Sequence, residues 1–121
     1  PCADAVISPS AGTDKKGPTA VLKSVGKVPY TYAHLFNQKF MPQFLEGENK
    51  KLFAQYLRTW FDLGGGHIQF NVVNRDTLLE AHFNQDRASD LVVRVAGYSA
   101  YFVDLSKEIQ DDIIRRTEQR F

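Results

Sequence analysis

The residue of this chain with the most unusual chemical prospects is a glycine. Gly97 stands in the middle of DLVVRVAGYSAYFVDL (residues 90–105), a stretch whose Val, Tyr and Phe otherwise read as one long β-strand. Glycine inside a strand costs backbone entropy and contributes no packing. Small Ala96, Ser99 and Ala100 surround it. The residues leave two readings open. In one, Gly97 is a bulge or tight bend, where φ freedom and small neighbours let the backbone pass close to something. In the other, the Cα is the reactive atom. A glycyl Cα–H bond is weak because the resulting radical is shared between an amide nitrogen donor and a carbonyl acceptor. A side chain would twist and crowd that planar radical.

The usual catalytic groups offer less. His34, His67 and His82 show no HExxH or paired-ligand spacing, so each reads as structural or solvent-facing. Cys2 lies beside Pro1 without a CxxC partner or a neighbouring base and reads as inert. The triglycine Gly64–Gly66 follows a helical pattern and lacks a GK[ST] ending, which makes it a helix stop and not a phosphate loop. Lys107, Glu108, Asp111, Asp112, Arg115, Arg116, Glu118 and Arg120 alternate as a solvated face, with Asp111–Arg115 and Asp112–Arg116 at i,i+4 spacing. No hydrolase or metal centre emerges.

Composition narrows the class further. With 121 residues and a 43% hydrophobic fraction, the chain fits one domain with a modest core. A net charge of +1 gives no argument for nucleic acid or an anionic membrane. No apolar run approaches the roughly 20 residues that span a bilayer, and no signal peptide is visible. One cysteine cannot form an internal disulfide, which makes the cytoplasm the default expectation. The chain starts at Pro1, without Met, in loop-like sequence, as expected of a fragment or one piece of a larger assembly.

The elements that must position Gly97 follow from periodicity. Residues 1–17 read as ordered loop or docking arm. GPTAVLKSVGKVP predicts a short helix with Pro18 at its first position and Gly26 and Pro29 ending it. TYAHLFNQKF predicts a second helix. ENKKLFAQYLRTWFDLGGG is the clearest helix, with Leu52, Phe53, Tyr56, Leu57, Trp60 and Phe61 forming a broad apolar stripe. HIQFNVV predicts a strand with Ile68, Phe70 and Val72 on one face, and DTLLEAHF a short helix. After the Gly97 strand, SKEIQDDIIRRTEQR predicts a closing helix capped by Ser106, with Leu105, Ile109 and Ile113 spaced by four. The order α, α, α, β, α, β, α is an α/β composition. Two strands are too few for a stable sheet, which implies completion by another polypeptide or by preceding sequence.

RVAGYSAYF resembles the C-terminal signature of the glycyl radical enzymes, a motif close to R-V-[SA]-G-Y. The likeness extends through HIQFNVVNRDTLLEAHFNQDRASDLVVRVAGYSAYFVDLSKEIQDDIIRRTEQ, and upstream through SPSAGTDKKGPTAVLKSVGKV and LFNQKF, covering nearly the whole chain. The resemblance implies the C-terminal part of a ten-stranded α/β barrel of the pyruvate formate-lyase-like superfamily. The glycyl loop would be inserted in the barrel, and the chain would not form a complete barrel alone. Residues 1–60 would be a helical segment preceding the radical domain and residues 61–121 the glycyl radical domain.

By that resemblance Gly97 carries the radical, a protein-derived cofactor, and this chain binds no metal. The S-adenosylmethionine and [4Fe–4S] cluster belong to a radical SAM activating enzyme. The radical generates a thiyl on a cysteine outside this chain, carried by the catalytic barrel portion or a large subunit; Cys2 lacks the sequence context for that role. Arg94, Val95, Ala96, Tyr98 and Ser99 support the glycyl loop. Arg94 reads either as a buried anchor pairing with a carboxylate or backbone carbonyls, or as an ordinary exposed strand arginine. Tyr98 is expected to pack against the loop. Further implied are a small organic substrate, a homodimeric parent enzyme, and an anaerobic cytoplasm because oxygen destroys such radicals. The tail is closer to the dehydratase, decarboxylase and lyase branches than to pyruvate formate-lyase. Hydrocarbon–fumarate addition, formate acetyltransferase chemistry and a stand-alone spare-part protein are the alternatives, and a binding module with a bent glycine is the non-enzymatic one. Alanine at 97 is expected to leave the fold nearly intact if the local φ is negative.

Overall fold

A computed structural model describes residues 7–29 and 34–121; Cys2 and the start of the expected TYAHLFNQKF helix lie outside them. Helix α1 (Pro18–Val25) begins with its proline at the first position and reaches its C-cap at Gly26. Strand β1 (Asn37–Phe40) follows where a helix was expected, and all four of its residues are buried. His34, expected on a helix, lies exposed ahead of β1. Helix α2 (Asn49–Asp62) leads to β2 (Gln69–Val72), then α3 (Arg75–Phe83). The expected Gly97 strand is a hairpin of β3 (Val92–Arg94) and β4 (Ser99–Tyr101). Helix α4 (Lys107–Arg115) stops short of the expected end, and β5 (Glu118–Gln119) closes the chain. No helix among the described residues is long and apolar enough to cross a membrane.

The strands form a three-stranded parallel sheet in the order β2-β1-β5, with the β3-β4 hairpin as a separate antiparallel pair. The described residues thus form a mixed α/β unit without a closed barrel. The register sets Asn37 beside Gln69 and Lys39 beside Asn71, whereas Phe40 pairs with Val72 and Gln38 with Phe70. Neighbours in register share a sheet face, and alternate residues point to opposite faces. One face is therefore lined by Asn37, Lys39, Gln69 and Asn71, and the other carries Phe40 and Phe70.

The aromatic face packs on α2. Phe40, Phe53, Tyr56, Phe70 and Phe121 form a ring cluster with centroid separations such as 5.3 Å for Phe40–Tyr56 and 5.0 Å for Phe53–Phe70. Such pairs contribute about 0.5–1.5 kcal/mol each beyond their burial. Tyr56 and Trp60 are the buried residues of α2, with Phe53 and Leu57 packed beside them. The apolar stripe is narrower than its pattern suggested: Leu52 is 43% and Phe61 53% exposed. The polar face is covered by a second core containing Val93, Val95, Phe102, Ile113 and Ile114.

Two local signals act as the sequence implies. The triglycine ends α2 in a Schellman arrangement: Gly64 N–H donates to the Phe61 carbonyl (3.0 Å) and Gly65 N–H to that of Trp60 (3.1 Å), with Gly64 at φ +91°. Ser106 accepts from the Ile109 amide at the start of α4 (3.4 Å). The N-terminal arm docks, as Asp14 accepts from Thr117 Oγ1 (2.6 Å) and Gln119 Nε2 (2.8 Å).

Gly65 packs against the Trp60 indole so closely that an added Cβ would overlap the ring. Gly65→Ala is expected to cost about 3 kcal/mol by overpacking, read as a lower denaturant midpoint. Burial pushes the Tyr56 phenol far above its ordinary value of 10. The folded state holds that proton more tightly than the unfolded chain, so the contribution is complete below pH 10 and lost as pH rises beyond it. Stability should fall by about 1.4 kcal/mol per pH unit above 10 from this group, and Tyr56→Phe should remove that slope in alkaline melts.

Candidate functional site: the Gly97 hairpin and its seat

Gly97 occupies the tip of a tight hairpin. Arg94 pairs with Ser99, and the Val95 amide donates to the Tyr98 carbonyl (2.9 Å), leaving Ala96 and Gly97 as the two turn residues. The φ of Gly97 is +78°, the left-handed region where a Cβ is strained. The condition for a harmless alanine is therefore not met. An added Cβ would also lie 3.1 Å from Leu35 Cδ1. Within the described chain Gly97, Tyr98 and Ser99 are exposed, while Val95 is buried and Ala96 half-buried. Tyr98, expected to pack against the loop, is 48% exposed.

The hairpin lies on the polar face of the sheet. The Asn71 side chain brackets Arg94 as a neighbouring strand would: its Oδ1 accepts from the Arg94 amide and its Nδ2 donates to the Arg94 carbonyl, both at 2.6 Å. Asn37 Nδ2 donates to the Val95 carbonyl (2.8 Å), which also accepts from Arg116 Nη1 (3.0 Å). Arg116 is only 8% exposed and is held by Asp112 Oδ2 through Nη2 (2.9 Å) and Nε (3.2 Å). The i,i+4 pair expected on a solvated face thus builds the hairpin's seat. Its neighbour differs: Arg115 Nε meets the Asp111 backbone carbonyl at 3.3 Å.

Arg94 is an anchor, with different partners from those expected. Its Nε donates to Gln69 Oε1 (2.7 Å) and its Nη1 to Ser99 Oγ (3.2 Å), so an amide and a hydroxyl receive the guanidinium. It ties β2 to both arms of the hairpin. Under the same cover Lys39, 2% exposed, donates to the Ile113 and Ile114 carbonyls (3.3 and 3.1 Å), at the negative end of the α4 dipole.

His67 and His82 serve the scaffold. His67 Nδ1 lies 3.5 Å from the Phe36 amide, and its carbonyl accepts from the Trp60 indole (3.0 Å). His82 Nδ1 meets Gln110 Oε1 at 2.8 Å, while Gln110 Nε2 donates to the Phe102 carbonyl (2.8 Å). Sequence reasoning did not single out Asn37, Gln69 or Asn71, and it read Asp112 and Arg116 as surface. The alternation of Gln69 and Asn71 with Ile68, Phe70 and Val72 was the available signal for a polar strand face.

The family profile described as "Glycine radical" matches residues 4–103, which include the hairpin tip. The chain belongs to this glycine radical family. A relative named "Probable dehydratase YbiW" of Escherichia coli (strain K12) is 53% identical over 116 residues, 92% of this chain and 14% of that protein. Trans-4-hydroxy-L-proline dehydratase of Clostridioides difficile is 50% identical over 119 residues, 95% of this chain and 15% of the relative. The crystal structure of hydroxyproline dehydratase from that organism, with its substrate bound, superposes with a TM-score of 0.89 at 48% identity, over 95% of this chain and 15% of that one. Family relatives also include isethionate sulfite-lyases and an indoleacetate decarboxylase. The chain spans about one seventh of the length of the curated relatives it matches.

Gly97→Ala is expected to destabilise the hairpin by about 1–2 kcal/mol through its left-handed φ, with Leu35 forced to shift. The loss should appear as faster proteolysis of the 92–101 segment, with the α2 aromatic core unaffected.

Proposed function

We propose that Gly97 is the radical-storing residue of a glycyl radical enzyme acting as a lyase, dehydratase or decarboxylase, with the catalytic cysteine on polypeptide outside this chain. The observation that carries the reading is the family's R-V-A-G-Y sequence at an exposed hairpin tip, where Gly97 presents a bare Cα between two peptide groups. The dehydratases among its relatives favour that reaction class. In this reading residues 61–121 are the radical domain and residues 1–60 the segment before it, joined through the β1-β2 and β1-β5 pairings.

The residues suit a radical at Cα. Gly97 has no side chain to tilt the flanking peptide planes, and among the described residues beyond its chain neighbours the one side chain within 4 Å of its would-be Cβ is the aliphatic Leu35. Arg94, Val95 and Ser99 fix the base of the turn, leaving Ala96, Gly97 and Tyr98 as a short reach beyond it. A hydrogen atom leaves the Cα for a radical SAM activating enzyme, whose S-adenosylmethionine and [4Fe–4S] cluster do not belong to this chain. A cysteine S–H later returns a hydrogen atom to the Cα, restoring the C–H bond and leaving the unpaired electron on sulfur for chemistry on a small organic substrate. In this reading the radical's oxygen sensitivity calls for anaerobic conditions, with the cytoplasm as the compartment and a homodimer as the parent enzyme.

The bend reading keeps one observation in its favour, since φ +78° is by itself reason for a glycine. Anaerobic EPR on the intact enzyme, treated with its activating enzyme, separates the two. A doublet that collapses when glycine 97 is deuterated at Cα is the expected result. A silent spectrum from an activation-competent complex would sink the radical assignment.

A further inference from the structure

One side of Gly97 is covered from within the chain. Asn37 Nδ2 donates to the Val95 carbonyl (2.8 Å), and that crossing brings Leu35, two residues before Asn37, against Gly97, two residues after Val95. Side chains alternate along extended backbone, so Leu35 falls on the polar sheet face with Asn37 and Lys39. It is the apolar member of that row. Its Cδ1 lies 3.1 Å from the point where an L-residue at 97 would carry Cβ.

The backbone that carries Leu35 is tied down. Its carbonyl accepts from the Ile7 amide (3.3 Å), and the next carbonyl, of Phe36, accepts from the Gln69 amide (2.9 Å). Phe36 is fully buried, with its ring centroid 4.8 Å from that of Trp60. Leu35 itself is half-buried. A side chain anchored in this way keeps a defined place against the hairpin tip.

The direction of that Cβ is also the direction of one of the two Gly97 hydrogens. A group that exchanges a hydrogen atom must come within about 3–3.5 Å of the atom it reacts with. The Leu35 methyl crowds that approach, since even carbon atoms settle about 3.5–4.0 Å apart and sulfur is larger. Gly97 is otherwise exposed, which leaves the opposite side of its Cα open.

We propose that Leu35 makes hydrogen transfer at Gly97 one-sided, so that the cysteine exchanges hydrogen across the face of Cα turned away from Leu35. The inference rests on the radical assignment of Gly97 above. In each return the S–H bond breaks homolytically, its hydrogen bonds to Cα from the open face, and the unpaired electron passes to sulfur. The hydrogen already on Cα is pushed towards Leu35. It is not the one removed when the thiyl radical takes a hydrogen back.

Heavy water reads this directly. In activated intact enzyme held anaerobically in D2O, the cysteine carries deuterium and delivers it to the open face. One-sided exchange takes the same deuterium back, so the hydrogen on Cα stays and the EPR doublet persists. Two-sided exchange replaces that hydrogen, and the doublet collapses to a singlet. Wild type should keep its doublet. Leu35→Ala should lose it, and so should Leu35→Val, which keeps a branched side chain but has no Cδ1 methyl. Leu35→Met restores the reach and should keep the doublet. Asn37→Ser weakens the hairpin's attachment without changing Leu35, and should keep it too. A doublet that persists in both Leu35→Ala and Leu35→Val overturns the proposal. Collapse in wild type or in Leu35→Met does the same, as does collapse in Asn37→Ser, where loosening alone would have scrambled the faces. A wild-type enzyme that gives no signal refutes the radical assignment, and this inference with it.

Discussion

Polar groups carried by β1 and β2 on one face of a parallel sheet must find partners away from water, and the Gly97 hairpin supplies most of them. Parallel sheets are normally buried on both faces and read as apolar runs. Here Asn37, Lys39, Gln69 and Asn71 face the second core. Left uncovered by partners, each would carry a desolvation cost comparable to a lost hydrogen bond. The Arg94 backbone and guanidinium, the Val95 carbonyl and the last carbonyls of α4 meet most of that demand, which makes the hairpin's position a consequence of the sheet's chemistry.

The two faces divide the work. On the aromatic side, Phe40, Phe53, Tyr56 and Phe70 tie the sheet to α2 through non-directional burial and ring packing. On the amide side, directional bonds locate a short, exposed turn without surrounding it. Apolar contact alone would hold such a turn only loosely in register, because it has little side-chain volume to bury. Hydrogen bonds to its backbone place it independently of what Ala96 and Gly97 lack. Small residues can therefore occupy the tip without the tip losing its position.

The same logic explains which expectations failed. TYAHLFNQKF was read as a helix, and its Asn and Lys are residue types depleted in strands. The strand identity of Asn37–Phe40 comes from pairing with β2 and β5, both distant in sequence. Arg116 was read as solvated because i,i+4 charge pairs on a closing helix usually are. The helix ends at Arg115, and the chain's turn into β5 places Arg116 under the hairpin. The stripe on α2 proved narrower because only Tyr56 and Trp60 of this helix are buried, with Leu52 and Phe61 left exposed.

Local chemistry was legible from the residues alone. Pro18, the triglycine and Ser106 each act on backbone groups a few residues away, so their meaning needs no fold. Membership of the glycine radical family, through R-V-A-G-Y, was legible for the same reason: a motif is a local pattern. The tertiary structure alone decided the left-handed φ at Gly97, the amide bracket on Arg94, and the convergence of Asn37 and Arg116 on Val95. Those contacts join residues 21 to 58 positions apart, and nothing in the spacing of Asn, Gln or Arg along the chain records which carbonyl each will meet.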